Sequence, residues 1–402
     1  MTSGWRYQKV SEIAEYSLGK MLDKAKNKGE PKPYLRNLNV RWFDFDLSDV
    51  GEMRFLPGES TKYTAVKGDV LICEGGYPGR AAIWEQDEPV YFQKALHRVR
   101  FREPGRNKWF LYYLYAKDRD GTLKDHFNGA GIQHFTGEAL AQLQIPMPPL
   151  PDQQRIVGIL DEAFAAVATA RVNTERNVRS ARELFQSELS AIFAVGGPRW
   201  IDNKLGSITT KIGSGATPRG GEESYKPQGI PLIRSLNVHD LGFRYPKLAF
   251  LDEAQARELS NVEVKPRDVL LNITGASVAR CCLVPGDVLP ARVNQHVSII
   301  RPDSGTVDAG FLHYMLISEP YKRRLLRTGL EGGSTRQAIT KAEIQEFVVS
   351  YPATLEEQAK LVARIEEVLT ETQDLEAIAQ RKLAALDALK QSLLHQAFTG
   401  AL

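Results

Sequence analysis

Cysteine is scarce in this sequence. Cys73, Cys281 and Cys282 are the three cysteines among 402 residues, and no two of them have the CxxC spacing. So few thiols offer no disulfide framework, and a reducing compartment fits them best. The residues after Met1 lack the apolar core of a signal peptide, and no apolar run approaches the length that spans a bilayer. We therefore expect a cytoplasmic protein with no membrane partner.

A strong net charge of either sign is also missing. The 52 Lys and Arg residues against 49 Asp and Glu residues leave a formal net charge of +3. This balance argues against a basic tail that holds nucleic acid non-specifically, so a nucleic-acid surface would need local clusters of Lys and Arg. A content of 43% hydrophobic and 25% charged residues is typical of a folded chain, and the length predicts two or three domains.

Sequence signatures of nucleotide and metal chemistry are absent too. No GxxxxGK[ST] segment is present, which excludes a P-loop motor, and no GxGxxG follows a predicted strand. The His, Cys and carboxylate residues show no ligand spacing beyond a weak pair formed by His126 and His134. The sequence thus predicts no catalytic residue, no metal site and no cofactor bound by this chain.

The sequence contains an internal duplication. Similar segments recur in the same order, and the offset between the copies drifts from 195 residues, at Trp5 and Trp200, to 205 residues, at Phe193 and Phe398. The clearest pairs are YLRNLNV at 34–40 with LIRSLNV at 232–238, VKGDVLI at 66–72 with VKPRDVLL at 264–271, FLYYLYA at 110–116 with FLHYMLI at 311–317, and LPDQQRIVGILDEAF at 150–164 with LEEQAKLVARIEEVL at 355–369. This period is far longer than a solenoid repeat, so it indicates duplication of a whole module.

Each copy consists of a mixed segment and a long helix. The mixed segments, 1–150 and 198–354, hold short strand-like runs divided by Gly and Pro. The helical segments that follow are 151–197 and 355–402. The fold class expected is mixed α/β (α+β): two α/β domains separated by two long antiparallel coiled-coil helices, with a pseudo-two-fold internal repeat. Loops between the matched segments differ in length and sequence, as two different recognition sites would require.

Apolar residues of both helical segments recur at steps of three and four, which predicts a narrow stripe like a coiled-coil seam. The predicted stripes comprise Ile156, Leu160, Ala163, Val167, Ala170, Ala181, Leu184 and Ala191 in the first helix, and Leu361, Ile365, Val368, Leu375, Ala379, Leu386, Leu389 and Leu393 in the second. The first stripe has a polar interruption from Arg171 to Arg179. Each helix needs its stripe covered. We therefore expect the two to pair antiparallel as a rod about 60 Å long with one globule at each end.

Three segments carry a resemblance to a known family. IPMPPLPDQQRIVGILDEAF at 145–164, SYPATLEEQAKLVARIEEVL at 350–369 and LLHQAFTGAL at 393–402 resemble the specificity subunits of Type I restriction-modification systems. KIGSGATPRG at 211–220 is similar to the Gly-Thr-Pro loop near the start of that family's recognition domains. The first copy departs from this pattern, with KMLDKAKNKGEPKP at 20–33 instead.

The resemblance implies domain roles and partners. Residues 1–150 and 198–354 would be target recognition domains, each reading one half of a split DNA target. Residues 151–197 and 355–402 would be conserved helical regions that set the gap and dock modification subunits. The implied partners are double-stranded DNA, two modification subunits that bind S-adenosylmethionine and methylate adenine, and usually two ATP-dependent restriction subunits. The chain itself would be a non-catalytic subunit.

Candidate DNA-binding residues follow from the chemistry of base edges and phosphates. Arg and Lys suit guanine, Asn and Gln suit adenine, and Lys, Arg, Ser and Thr suit phosphate. In the first domain we predict Arg36, Asn39, Arg41, Arg80, Asn128, Gln133 and His134. In the second domain we predict Lys211, Ser214, Thr217, Arg219, Arg234, Asn237, Arg280, Arg292, Asn294, Gln295, Ser334, Arg336 and Gln337. Asn39 and Asn237 fit the alternative role of turn residues equally well.

Two other functions remain as alternatives. A DNA methyltransferase with fused recognition domains would need a polar-Pro-Pro-aromatic loop, and PMPPLP at 146–151 has neither the polar residue before the prolines nor the aromatic after them. A coiled-coil adaptor that does not bind DNA would explain the helices, but it would leave the duplicated domains with their different loops unexplained.

Overall fold

The chain divides into two compact units. The computed structural model describes residues 4–23, 25–197, 199–331 and 338–402. Unit 1 comprises Met1–Thr174 with Gln380–Leu402, and unit 2 comprises Glu175–Ala379. Each unit therefore combines a mixed α/β segment with part of each of the two long helices.

Unit 1 is built from short strands around a buried sheet. Its strands are β1 (Arg6–Lys9), β2 (Ala14–Leu18), β3 (Glu30–Leu35), β4 (Val40–Arg41), β5 (Asp44–Phe45), β6 (Gly51–Phe55), β7 (Thr64–Ala65), β8 (Val70–Cys73), β9 (Ala81–Ile83), β10 (Val90–Phe92), β11 (Leu96–Phe101) and β12 (Gln144–Met147). Its helices are α1 (Val10–Ile13), α2 (Ser60–Tyr63), α3 (Arg106–Arg119), α4 (Gly137–Gln142) and the first part of α5 (Leu150–Val195).

Among the described residues, unit 2 repeats the twelve strands of unit 1, with a different set of short helices. Its strands are β13 (Trp200–Lys204), β14 (Thr209–Ser214), β15 (Ile230–Ile233), β16 (Val238–His239), β17 (Gly242–Phe243), β18 (Ala249–Leu251), β19 (Glu263–Val264), β20 (Val269–Asn272), β21 (Cys281–Leu283), β22 (Ala291–Val293), β23 (Val297–Pro302) and β24 (Val348–Pro352). Its helices are α6 (Glu253–Glu258), α7 (Ala309–Ile317), α8 (Glu319–Glu331), α9 (Lys341–Glu346) and the first part of α10 (Leu355–Thr399).

The sheets confirm the internal duplication. Strand order is β2-β11-β8-β9 and β6-β3-β10-β7 in unit 1, and β14-β23-β20-β21 and β18-β15-β22-β19 in unit 2. Each second sheet contains a parallel pair at the same place, β3 with β10 and β15 with β22. The central strands β8 and β20 are buried along their whole length, which explains why their sequences read as continuous apolar runs rather than as alternating patterns.

The long helices complete the core of each unit. Leu394 and Ala397 of α10 join the core of unit 1, while Phe185 and Phe193 of α5 join the core of unit 2. Both helices are followed by a glycine with positive φ, 63° at Gly196 and 76° at Gly400, a conformation that glycine adopts without strain.

Within unit 1, α5 and α10 pair antiparallel. Arg155 donates a hydrogen bond to the carbonyl oxygen of Leu402 at 3.0 Å, and Arg171 forms an ion pair with Asp387 at 2.7 Å. Later residues of α5 thus meet earlier residues of α10, as an antiparallel pair requires.

The same pairing holds within unit 2. Arg182 forms an ion pair with Glu376 at 2.6 Å, and Glu188, further along α5, pairs with Arg364, which lies earlier in α10. These exposed ion pairs add little stability. The apolar seam between the helices supplies most of it.

The seam of α5 keeps a seven-residue spacing. Leu160, Val167, Thr174 and Ala181 are all buried, which is the 3.5-residue period of a left-handed coiled coil. Thr174 lies where the sequence predicted a polar interruption. Its hydroxyl donates a hydrogen bond to the carbonyl oxygen of Ala170 at 2.7 Å, so the seam continues through it with no unsatisfied polar group.

Part of the predicted stripe is wrong. Leu184, Leu375 and Leu389 are 66%, 53% and 46% exposed, and Ala191 is exposed as well. The seam passes through Phe185 instead of Leu184, because Phe185, Leu189 and Phe193 lie on one face of the helix and are all buried in the core of unit 2. Buried as predicted are Ile156, Leu160, Val167, Ala181, Ile365 and Ala379, and half-buried are Ala163, Ala170, Leu361, Val368, Leu386 and Leu393.

Candidate DNA interface

Three loops of unit 1 lie together, and we call them loop cluster 1: residues 37–39, 74–80 and 128–134. The Asn37 side chain donates a hydrogen bond to the carbonyl oxygen of Gly75 at 3.0 Å. The Arg80 guanidinium donates a hydrogen bond to the carbonyl oxygen of Asn37, also at 3.0 Å. The backbone N–H of Phe135 donates to the carbonyl oxygen of Glu74 at 2.8 Å, which joins the third loop to the second.

Three loops of unit 2 form loop cluster 2: residues 235–237 and 273–280, which correspond to 37–39 and 74–80, and residues 294–296, which join β22 to β23. The Asn272 side chain, at the end of β20, donates a hydrogen bond to the carbonyl oxygen of Ser235 at 2.9 Å, which joins this strand end to the first loop. The Thr274 hydroxyl lies 2.6 Å from Nδ1 of His296. Together these loops line an open cleft of about 430 Å³, whose walls include Ser235, Leu236, Thr274, Ser277, Arg280 and His296.

The first turn of each cluster is locked by a buried asparagine. Asn39 accepts a hydrogen bond from the backbone N–H of Arg36 at 2.9 Å and donates to the carbonyl oxygen of Asp46 at 2.8 Å. Asn237 makes the same two bonds, from Arg234 at 3.0 Å and to the carbonyl oxygen of its own loop at 2.8 Å. Both are at most 1% exposed. The prediction that they contact DNA is therefore corrected, and the alternative role of turn residues is the one they have.

Two further residues predicted to contact DNA are buried, so these predictions are corrected as well. Arg292 is 7% exposed, donates from Nε to the carbonyl oxygen of Ala256 at 3.0 Å and forms an ion pair with Glu263 at 3.3 Å. Asn294 is 4% exposed and accepts a hydrogen bond from the backbone N–H of His296 at 3.0 Å. Both side chains support the domain's own backbone. Ser334, Arg336 and Gln337 lie outside the described residues.

Arg80 and Arg280 occupy equivalent positions, immediately before β9 and β21, but differ in their contacts. The Arg80 guanidinium is held by Asn37 and lies 5.1 Å from the ring centre of Tyr77. The Arg280 side chain makes no hydrogen bond or ion pair with any residue that the structure describes, and it lines the cleft of loop cluster 2. Partial burial, together with Arg244 and more weakly Arg280, lowers the pKa of His239 nearby.

Other predicted cations are engaged by neighbouring acids. Arg36 forms an ion pair with Asp49 at 2.9 Å, and Arg41 pairs with Asp46 at 3.2 Å. Hydrogen bonds from Ser48, and more weakly the charge of Arg41, lower the pKa of that Asp46 carboxyl despite some desolvation.

In unit 2, Arg234 is held by an acidic side chain and an aromatic ring. It pairs with Glu222 at 2.6 Å and lies 5.2 Å from the ring centre of Tyr225. Lys211 donates to the carbonyl oxygen of Asn261. Cations bound in this way have to exchange a partner before they contact phosphate.

Several predicted side chains are exposed. These are Arg41, Asn128, Gln133, His134, Ser214, Arg219 and Gln295. Thr217 is half-buried and donates a hydrogen bond to Gln295. Sequence reasoning missed the exposed apolar residues of the clusters, Leu38, Tyr77, Ile132 and Leu236, since the residue type alone does not reveal whether an apolar side chain in a short loop is buried.

The described residues show neither a cluster of metal ligands nor a membrane-spanning helix. Among the described residues, no three His, Cys, Asp or Glu side chains gather as metal ligands. In the same part of the chain, no helix is both long and apolar enough to cross a bilayer. Burial raises the pKa of the Cys73 thiol to about 11 and that of Cys282 to about 12, so neither is a reactive thiolate.

Comparisons with known proteins agree with the duplicated fold. Residues 2–175 match the Type I restriction modification DNA specificity domain. The chain is 23% identical to the Type I restriction enzyme EcoBI specificity subunit of Escherichia coli, over 80% of this chain and 71% of that protein. It is 24% identical to the StySPI specificity subunit of Salmonella potsdam, over 100% of this chain and 90% of that protein.

A solved structure carries the same fold. A chain from a study of complex assembly and conformational transition in a type I R-M system superposes with a TM-score of 0.78, at 20% identity, covering 100% of both chains. Low identity restricts this likeness to the fold, which has the same two-domain layout with long helices. Taken with the curated relatives, it leads to one conclusion: residues 2–175 match a Type I restriction modification DNA specificity domain, and the chain as a whole is similar to the specificity subunits of Type I restriction-modification systems.

Proposed function

We propose that this chain reads a split DNA target, with each recognition domain reading one half. In this proposal residues 1–150 and 198–354 are the target recognition domains, and residues 151–197 and 355–402 are the conserved helical regions. One observation carries the proposal: the two units repeat a single strand order and a single asparagine-locked turn, yet their loops differ. A shared scaffold with different loops suits two half-sites of different sequence, held in one chain rather than in a dimer.

Base contacts would come from exposed and half-buried side chains of the two loop clusters, and phosphate contacts from exposed residues in and after β14. Gln133 and His134 in the first domain, and Arg280 in the second, have the donors and acceptors that base edges require. Arg280 is favoured for guanine because its guanidinium is not committed to any described neighbour, whereas the equivalent Arg80 is held by its own turn. Ser214 and Arg219, exposed in and after β14, are suited to phosphate.

The outer surface of the helices supports docking of two identical partners. Leu184 and Leu389 lie at equivalent positions of the two copies, and both are exposed, at 66% and 46%. An exposed leucine repeated at one position of a coiled coil provides each unit with the same apolar contact. We therefore assign one modification subunit to each unit. The helices between the domains would fix the gap in the target.

Catalysis would belong to the partners. Two modification subunits would bring S-adenosylmethionine and methylate adenine, and two ATP-dependent restriction subunits would complete the restriction complex. The chain would act in the cytoplasm, where its DNA is.

Methyl transfer by the purified components tests this proposal. The chain alone, mixed with S-adenosylmethionine and DNA that carries the target, should transfer no methyl group. With a modification subunit that assembles with the chain, adenine in the target should be methylated, and a scrambled duplex should not. Transfer by the chain alone would contradict the proposal in favour of a fused methyltransferase. An assembled complex that failed to discriminate the two duplexes would favour the coiled-coil adaptor.

A further inference from the structure

The third loop of loop cluster 1 presents an isolated apolar side chain. Ile132 is 76% exposed, and no other large apolar side chain among the described residues is more exposed. Its neighbours Gly129, Ala130 and Gly131 add little bulk to the tip of the loop. An apolar side chain this exposed gains nothing from the folded state of the free protein, because almost none of its surface leaves water.

The loop holds Ile132 in one place. Asn128 and His134 exchange two backbone hydrogen bonds of 2.8 Å, which close the loop at its base. Gly129 has a φ of 114°, and a Cβ there would lie 2.2 Å from the carbonyl oxygen of Ile132, so the turn needs glycine at this position. At the base, Phe135 is fully buried and anchors the loop in the core of unit 1. The isoleucine is therefore presented on a short, defined turn.

Exposed polar side chains follow Ile132 in the loop. Gln133 and His134 are exposed beside it and carry hydrogen-bonding groups suited to base edges. His134 lies against Gly75, 3.1 Å from where a Cβ on that glycine would be, so the loop is next to the segment that ends at Arg80. In the major groove, thymine presents a 5-methyl group, and an apolar side chain is what recognises it.

We propose that Ile132 is a specificity-determining residue that contacts the 5-methyl group of a thymine in the half-site read by residues 1–150. The proposal rests on the proposed function, since it requires that unit 1 reads DNA. It adds the class of base pair that the loop selects, A·T, and the residue that selects it. Loss of one methyl contact would weaken binding about fourfold, from the transfer free energy of one buried methylene-sized group.

Replacement of thymine by deoxyuridine tests the contact, since it removes only the methyl group. The reconstituted complex would be titrated with duplexes in which each thymine of the two half-sites is replaced in turn. In the wild-type complex, one replacement in the first half-site should weaken binding about fourfold. With Ile132→Ala, the thymine and deoxyuridine duplexes should bind equally, at about the wild type's affinity for the deoxyuridine duplex.

Two control variants separate this contact from a general loss of binding. Ile132→Val keeps a branched apolar side chain and should keep the preference for thymine. Ile201→Ala removes another exposed apolar residue, in unit 2, and should leave the preference unchanged. A wild-type complex that is indifferent to every replacement in the first half-site, or an alanine variant that retains the preference, would overturn the inference. A complex that fails to distinguish its target from a scrambled duplex would instead mean that the proposed function is wrong.

Discussion

At the scale of single residues, each unit contains the same ion pair between a buried aspartate and a partly exposed arginine. Asp69 and Arg100 form two hydrogen bonds of 2.7 and 2.6 Å, and Asp268 and Arg301 form two of 2.7 Å. Each carboxylate also accepts a backbone N–H from the preceding turn, at 2.8 and 2.7 Å. The repeated VKGD and VKPRD segments align these aspartates in the sequence, but only the structure shows that both are buried.

Asp268→Asn is expected to destabilise unit 2 strongly. The Asp268 side chain is fully buried, and an amide would turn a donor toward the guanidinium of Arg301 while leaving its charge uncompensated. The cost should be about 3 kcal/mol in the free energy of unfolding, measured by urea titration. Asp87→Asn, which breaks the exposed pair with Lys67, is the control and should change stability by less than about 0.5 kcal/mol. Equal effects of the two substitutions would contradict the role given to burial.

At the scale of elements, the sequence predicted the two helices and their pairing but not the full register of their seam. Leu184 and Phe185 are adjacent and both apolar, so steps of three and four fit either. The structure buries Phe185 together with Leu189 and Phe193, so the core of unit 2 sets the phase of the seam at this point. A local pattern contains no information about that phase.

Phe185→Ala and Leu184→Ala should therefore differ sharply in their effect on stability. The first removes a side chain that is 2% exposed and should lower the free energy of unfolding by about 3–5 kcal/mol. The second, at a position 66% exposed, should leave stability within about 0.5 kcal/mol. Combined with Leu389→Ala, it should weaken assembly with the modification subunit by about tenfold or more. Titration of the labelled modification subunit measures this, and unchanged affinity in the double variant would remove these leucines from the docking surface.

At the scale of the whole molecule, duplication was the most predictable feature. Matched segments such as YLRNLNV and LIRSLNV fixed the order of the elements, because residues that build a turn must recur wherever the turn recurs. Contact residues were much less predictable. Asn39 and Asn237 are chemically suited to adenine, yet both are buried, and Arg292 is committed to its own backbone. Whether a side chain is exposed depends on how distant segments of the chain pack together, and the residue type does not reveal that packing.

The central claim is that each unit reads its own half of one target. The most direct measurement exchanges residues 198–354 for the matching domain of a relative and maps methylated adenines in DNA treated with the reconstituted complex. We expect a split methylation motif in which one half-site changes and the other stays as in the wild type. The gap between the half-sites should also stay the same, because the helices are unchanged. A motif in which both halves change, or neither does, would contradict the central claim.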